Sequence, residues 1–407
     1  MAETSARMLE GYKVLDFTHV LAGPTASRYL AEMGAEVIKV ELAPNGDMSR
    51  GLPFLRDGRS AYYIQQNRGK KSLCLDPKKP ASRALLKELV QKVDVLVENF
   101  APGVIGRLGL DYATVSALNP KIVMCSISAL GQTGPLADRP GFDWIGSAYS
   151  GVLDVTGFPD RTPVFPQAGI GDVSTGVHAM GAILAALLYR ERTGKGQCVE
   201  TSLLDCYFSY HEVNVQNTSA SRGAAVARRA GSHHYIVCPV GIFNGKQSPI
   251  LIIAGLDPQW TGFCRAMGRP DLATDPRFKD ISSRATNAEE LKQLVQDWVD
   301  SVPSDEEMMR LLEENRIPYA PVLTVAQAMA HPHLRERGTV RTINDRFLGE
   351  FDVPGFPLRF SAFPEPLDLE APTLGQHNAE ILHDYLGYPP ERIRQLETEG
   401  ILHRGER

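Results

Sequence analysis

Short apolar runs alternate along the chain with segments whose apolar residues recur every three or four positions, a pattern that predicts strands and helices in turn. Residues 12–18 ("YKVLDFT"), 36–41 ("EVIKVE"), 71–76 ("KSLCLD"), 94–99 ("DVLVEN") and 121–128 ("KIVMCSIS") read as strands. Helical spacing covers 24–34 and about 79–93, with short helices within 102–109 and 112–120. This is a succession of βαβ units, half of a doubly wound α/β layer, and such layers gather ligands at their strand ends. Residues 131–171 are rich in Gly, Pro, Asp and Thr, after which 173–188 reads as a buried helix and "TGKGQCVETSLLD" as a glycine stop followed by a strand. Between 207 and 235 the chain turns small, polar and basic, like a linker or mobile loop. Beyond it, a strand at 248–255 and helices near 259–268, 287–300 and 304–315 predict a second, smaller α+β domain. The stretch 340–361 is β-rich and a last helix spans about 375–386.

Composition narrows the partners. The 407 residues are 43% hydrophobic and 22% charged with a formal charge of −5, which suits a globular chain acting on small molecules and argues against nucleic acid as a partner. The six cysteines form no C-x-x-C pair and lie mostly in apolar runs, so free thiols, a reducing compartment and no structural metal site are expected. Residues 1–14 carry no signal-like apolar stretch and no run approaches the length of a membrane span, so a cytoplasmic protein without a membrane partner is expected.

The most informative short stretch is "AGIGDVSTGVHAMGAILAAL", 168–187, in which Asp172 stands between a glycine-rich turn and an apolar helix. If the helix begins at Val173, Asp172 is its N-cap, tying down free N–H groups. The alternative is a nucleophile: a carboxylate held ionised by the helix dipole, with Gly169 and Gly171 leaving room for a substrate. Other chemistries lack their residues. The first βα turn, "HVLAGP", has no dinucleotide fingerprint, and neither a G-x-S-x-G elbow nor a Walker sequence occurs. His211-Glu212 lacks a second helical ligand because position 215 is Val, and His233-His234 are left as candidate substrate contacts. What remains is a set of turns at separate strand ends: His19 to Gly23, "ENFAPG" at 98–103, "RPGFD" at 139–143, and Asp172.

Taken in order, "VLDFTHVLAGP", "GAEVIKVE", "LVENFAPGVIGRLGL", "CSISALGQTGP", "RPGFD", "GDVSTGVHAMGAILAAL", "RTGKGQ", "RIPYAP" and "LGQHNAEIL" resemble the class III CoA-transferase family over nearly the whole chain. The resemblance implies an acyl-CoA:carboxylate CoA-transferase. Asp172 would be its catalytic nucleophile, passing through an aspartyl-CoA thioester; His19, Val20, Ala22, Leu75, Asn99, Phe100 and Arg107 would contact CoA, and Asp143 would lie near the reacting acyl group. It implies no permanently bound cofactor, CoA thioesters as substrates, succinyl-CoA or a similar donor, and a carboxylic acid, best a dicarboxylate, as acceptor. It also implies a Rossmann-like large domain built from both chain ends, 1–220 and 331–407, linkers and a small domain at 221–330, and an interlocked homodimer. Leu21 stands where formyl-CoA transferases of the family carry Gln, and basic residues they carry near Leu42 and Ser128 are absent here. Arg50, Lys71 and Arg139 are therefore the alternative phosphate contacts. Two other readings are an α-methylacyl-CoA racemase, which would need a proton-carrying His where this chain has Phe142, and a CoA-binding protein without chemistry, against which the intact Gly-Asp turn argues.

Overall fold

The computed structural model describes residues 7–405. The first six of the residues read as lacking a signal-like stretch, and the last two of the expected large domain, lie outside the described residues. The chain divides into two compact units, one of residues up to 150, 166–210 and from 333 on, the other of 151–165 and 211–332.

The first unit is built on a six-stranded sheet: β1 (Lys13–Asp16), β2 (Glu36–Leu42), β3 (Lys70–Leu75), β4 (Val95–Glu98), β5 (Val123–Ser128) and β6 (Gln197–Ser202). Its order is β3-β2-β1-β4-β5-β6 and every neighbouring pair is parallel. Parallel strands need both faces covered, and the alternation of side chains provides two cores. Leu15, Ile38, Leu73 and Leu96 face one helical layer that includes Leu85, Leu86 and Leu89. Val14, Val37, Val95, Val97 and Cys125 face the other, formed by α1 (Ala22–Glu32) and α3 (Ile170–Thr193) through Ala26, Leu30, Ala179, Ile183 and Leu187. Two short helices, α2 (Asp143–Tyr149) and α4 (Leu203–Phe208), complete the part used below. Among the described residues α3 is long and apolar enough to cross a membrane by length and composition; here its buried residues pack on the sheet.

The strand order reverses between β1 and β4, and a crevice opens there at the carboxyl ends of the strands. The far edge, β3, is closed by late residues of the chain. The amide of Ser72 donates to His377 Nδ1, that of Cys74 to Asn378 Oδ1, and that of His403 to the carbonyl of Cys74. Gly375, at φ +63°, passes so close to the carbonyl of His403 that a Cβ would lie 2.1 Å from it. The "LGQHNAEIL" stretch thus seals a sheet edge, and its helix begins at Asn378 rather than at 375.

The second unit carries a three-stranded antiparallel sheet of β7 (Val240–Asn244), β8 (Pro249–Ile253) and β9 (Tyr319–Pro321) in the order β9-β8-β7. Its core gathers Phe243, Ile252, Trp260, Phe263, Phe278, Leu291, Val295 and Leu312. The bounds of the two units differ from the sequence-based ones in three places, because 151–165, 211–220 and 331–332 belong to this unit. Arg229 donates to Asp154 and to the carbonyl of Phe158, Gly231 N–H to the carbonyl of Gly157, and Tyr235 to Asn214. The expected linker at 207–235 is therefore partly structured, with a helix at Asn214–Ala220.

Candidate functional site

The turn that follows β1 is pinned from below by buried charges. Asp16 accepts from Thr18, Ser27 and Lys70, and Lys39 pairs with Asp47 at 2.8 Å while donating to the carbonyl of Thr18. Asp47 in turn accepts the amide of Val20, which holds φ at +66°. A β-branched residue in that left-handed region is strained by roughly 1–3 kcal/mol, so the surrounding hydrogen bonds over-determine the turn. The crevice is then clamped across the switch point. His19 N–H donates to Asn99 Oδ1 at 2.8 Å and Asn99 Nδ2 returns a bond to the carbonyl of His19 at 2.9 Å, joining the ends of β1 and β4. The His19 ring meets Phe100 edge-on, and burial lowers its pKa, so it is neutral at physiological pH.

Asp172 is not an N-cap. The helix begins at Ile170 with Gly169 as its cap, which places Asp172 in the first turn. Gly171 explains why the turn closes earlier than apolar spacing suggests: a Cβ there would fall 2.1 Å from the Tyr207 ring and 2.3 Å from Asp143 Oδ1. The Gly171 N–H donates to the Tyr207 hydroxyl at 3.1 Å, and that hydroxyl donates to Asp143 Oδ1. Asp143 Oδ2 is buried without a hydrogen-bond partner. It and Asp172 Cβ lie 3.6 and 3.9 Å from the place a Gly169 side chain would take. Asp172 itself is half-buried and accepts no hydrogen bond among the described residues. Burial, and then the neighbouring Asp143 charge, push its pKa up to about 7. Both act in the sense opposite to the helix dipole. Tyr62 feels the same carboxylate; burial first and then Asp172 raise it to about 12.

A cavity of about 270 Å³ opens over Asp172. Of the residues singled out in the sequence, it brings together His19, Val20, Ala22, Asn99, Phe100 and Asp172, with Leu21, Met48, Ser128, Arg139, Phe142 and Leu203 also in its wall. Asp143 sits behind the wall, and Leu21 packs against Gly169, where a Cβ would meet its Cδ2 at 2.6 Å. Two residues stand apart. Leu75 is fully buried in the core at the end of β3, which leaves its side chain no surface for a ligand, and Arg107 is exposed outside the cavity wall, with Nη1 near Gly103. Of the alternative cations, Arg50 is engaged by Glu41 and Lys71 by Glu36 and Glu380, whereas Arg139 is exposed on the rim and, among the described residues, its guanidinium bonds the Tyr149 hydroxyl and no carboxylate. Tyr62 and Tyr207 escaped the sequence reading because nothing local marks them; Tyr207 meets Gly171 across 36 positions of chain.

Both longer helices that begin at this cavity, α1 and α3, have N-caps, Leu21 and Gly169, that offer no side-chain oxygen. In α3 the Ile170 and Gly171 N–H groups are taken by the Ala168 carbonyl and the Tyr207 hydroxyl, so among the described residues the Ala22 and Gly23 N–H groups of α1 and the Asp172 N–H of α3 are what is left for a bound anion or a developing oxyanion. That combination suits acyl transfer to Asp172.

Comparison with known proteins shows the family and the fold. The family model of CoA-transferase family III matches residues 9–378. Succinyl-CoA:glutarate CoA-transferase of Mus musculus is 36% identical over 405 residues, covering 99% of this chain and 92% of that protein. Succinyl-CoA–D-citramalate CoA-transferase of Chloroflexus aurantiacus is 34% identical over 398 residues, covering 97% and 98%. The crystal structure of a CAIB/BAIF family protein from Brucella suis superposes with a TM-score of 0.80 at 34% identity, covering 93% of this chain and all of that one.

Proposed function

The chain belongs to CoA-transferase family III, and from that premise we propose that it moves CoA from succinyl-CoA or a similar donor to a small dicarboxylate, with Asp172 as the covalent carrier. The observation that carries this reading is the state of Asp172. Among the described residues it is the one carboxylate in the wall of the cavity and accepts no hydrogen bond, and it stands in the first turn of α3.

The ionised Asp172 attacks the thioester carbonyl of the donor, and collapse of the tetrahedral adduct expels CoA thiolate and leaves an acyl-aspartyl anhydride. The thiolate attacks the aspartyl carbonyl, releasing the donor's acid and forming an aspartyl-CoA thioester. The acceptor carboxylate opens that thioester to a second anhydride, and the thiolate returns to the acceptor's carbonyl, regenerating Asp172. No proton is consumed overall, and each step exchanges one activated acyl group for another, so position and oxyanion stabilisation are the protein's contribution. Burial makes Asp172 more basic than an ordinary carboxylate, and its charge is discharged on acylation beside Asp143. His19, Asn99 and Phe100 line the part of the cavity that would receive CoA, with Arg139 the rim cation for its phosphates. Phe142 is 69% exposed and carries no exchangeable proton, which speaks against α-proton exchange as the reaction.

A homodimer belongs to the same proposal. Trp144 and Tyr149 on α2 and Val173, Val177, Leu188 and Tyr189 on α3 are exposed, an apolar face of the kind that a second copy would cover. The cysteines are all free thiols, which suits a reducing compartment such as the cytoplasm.

The test is to trap the carrier. Incubation with succinyl-CoA and hydroxylamine in the absence of acceptor should convert Asp172 to a hydroxamate, seen by mass on the peptide spanning "AGIGDVSTGVH". Labelling of a different carboxylate, or transfer without any labelling, overturns the assignment.

A further inference from the structure

A second cavity in the first unit, about 120 Å³, shares no wall residue with the catalytic one and is lined by Arg7, Glu32, Arg337, Arg341, Arg359 and Glu365 together with phenyl rings such as Phe360. Its charge is unbalanced. Glu32 Oε1 accepts from Arg28 at 2.7 Å and from Arg68 at 2.6 Å, both arginines being almost wholly buried. Arg341 gives Nη2 to the carbonyl of Leu367, and the nearest carboxylate, Asp368, is 4.0 Å away and fully exposed. Arg341 Nη1, on a residue of the cavity wall, is buried with no hydrogen-bond partner among the described residues, as are Arg28 Nε and Arg68 Nε on the arginines that hold Glu32. Burial lowers the Arg68 pKa to about 10; Glu32 opposes the fall, and the Arg28 and Arg341 charges add to it. Arg337 and Arg359, both exposed, add further positive charge where the cavity meets solvent.

Buried donors without acceptors are costly, and four arginines against two glutamates in the lining leave a net positive charge that an anion would neutralise. The structure assigns this cavity as a binding site for a small carboxylate anion, held head-first by the arginines with its short hydrocarbon body against the phenyl rings. The volume suits an acid of a few carbons and is far too small for a nucleotide. Arginine's planar fork matches a carboxylate, and the aromatic wall favours an organic acid over inorganic phosphate. The assignment does not depend on the chemistry at Asp172.

Titration calorimetry of the full chain with succinate tests it. Two classes of site are expected, one catalytic and one here, with inorganic phosphate binding more weakly than succinate at this second site. The double variant Arg337→Gln, Arg359→Gln changes only exposed side chains. It should weaken one class roughly tenfold, the size of a charge-assisted hydrogen bond, and leave the other class and the kinetic constants of transfer unchanged. No binding, binding in which every class ignores the double variant, phosphate binding tighter than succinate at the class the variant weakens, or heats reproduced by sodium chloride at equal ionic strength would each overturn it, whereas a single class weakened by the double variant would uphold this site and count against succinate at the catalytic one. So would a change of oligomeric state in the double variant, which would assign the arginines to a contact between copies.

Discussion

Asp172 and Asp305 are both aspartates in the first turn of a helix, α3 in one unit and Asp305–Glu314 in the other, yet they have opposite chemistry. Asp305 is buried and accepts three backbone N–H groups, from Lys246 at 2.7 Å, Gln247 at 2.8 Å and Ser248 at 3.1 Å. Those bonds hold its pKa below the usual carboxylate range against the pull of burial. Asp172 accepts none and faces Asp143, and its pKa rises to about 7. Position at a helix start is the same for both. What separates the structural aspartate from the one proposed as the carrier is whether neighbouring donors have already been spent on it.

The sharpest way to break the contrast is to remove each charge. Asp172→Asn should abolish transfer, at least about a thousandfold in kcat as read by mass of the acyl-CoA products, with the fold intact, because the acyl acceptor is gone. Asp305→Ala should leave kcat and KM nearly unchanged but lower unfolding stability by about 2–4 kcal/mol in a urea titration, since three buried N–H groups lose their acceptor. If the two variants exchanged phenotypes, the reading of both sites would fall.

Smaller effects probe why Asp172 is basic. The acid limb of kcat/KM should fall near pH 7, because only the ionised carboxylate attacks. The groups facing Asp172 are His19, Tyr62, Arg139, Asp143 and Tyr207, and of these Asp143 adds to the upward shift. Asp143→Asn should therefore move the limb to lower pH. Tyr207→Phe should cut kcat roughly tenfold with the KM for acyl-CoA little changed, since it frees Asp143 without touching the binding wall. A limb that stays near pH 7 in Asp143→Asn would assign the whole shift to burial.

The smallest effect is on stability. The pKa of Asp172 in the folded chain lies above its unfolded value, so the contribution of the neutral form is fully present below about pH 4 and lost as pH rises through about 7. Asp172→Asn escapes that loss. It should be more stable than the parent by on the order of 1 kcal/mol at pH 8, allowing for partial exposure, with the gap shrinking toward pH 4 in thermal melts.

Much of this was legible in the chain, and the reasons are local. The strands of the first unit are short apolar runs bounded by turn residues, and a parallel sheet buried on both faces needs just that. Asp172 was visible as an acid between a glycine-rich turn and an apolar helix, open to a cap or a nucleophile until the family resemblance chose between them. The start of its helix was not: Ile170 and Gly171 read as turn, while in the structure Gly171 is helical and its missing Cβ makes room for Tyr207. Likewise α2 hides within a Gly- and Pro-rich loop, beginning at the Asp143 that looked like a turn residue. The buried pairs under the site, Lys39 with Asp47 and Lys70 with Asp16, join residues 8 and 54 positions apart that periodicity treats as unrelated, and a strand such as "EVIKVE" gives no hint that its lysine is fully buried.

The sealed edge of β3 has a consequence for synthesis on the ribosome. Ser72 and His377 are 305 positions apart, and the second unit's main segment, 211–332, is made between them. At about 5–20 residues per second, the β3 edge waits roughly 15–60 s for its cover, long enough for the second unit to fold first. During that interval a strand with open N–H and C=O groups faces solvent, the situation in which nascent chains pair with one another. The last thirty or so described residues therefore set when the first unit finishes folding, and a nascent chain stalled before them would leave the ribosome channel with its catalytic half still open at one edge.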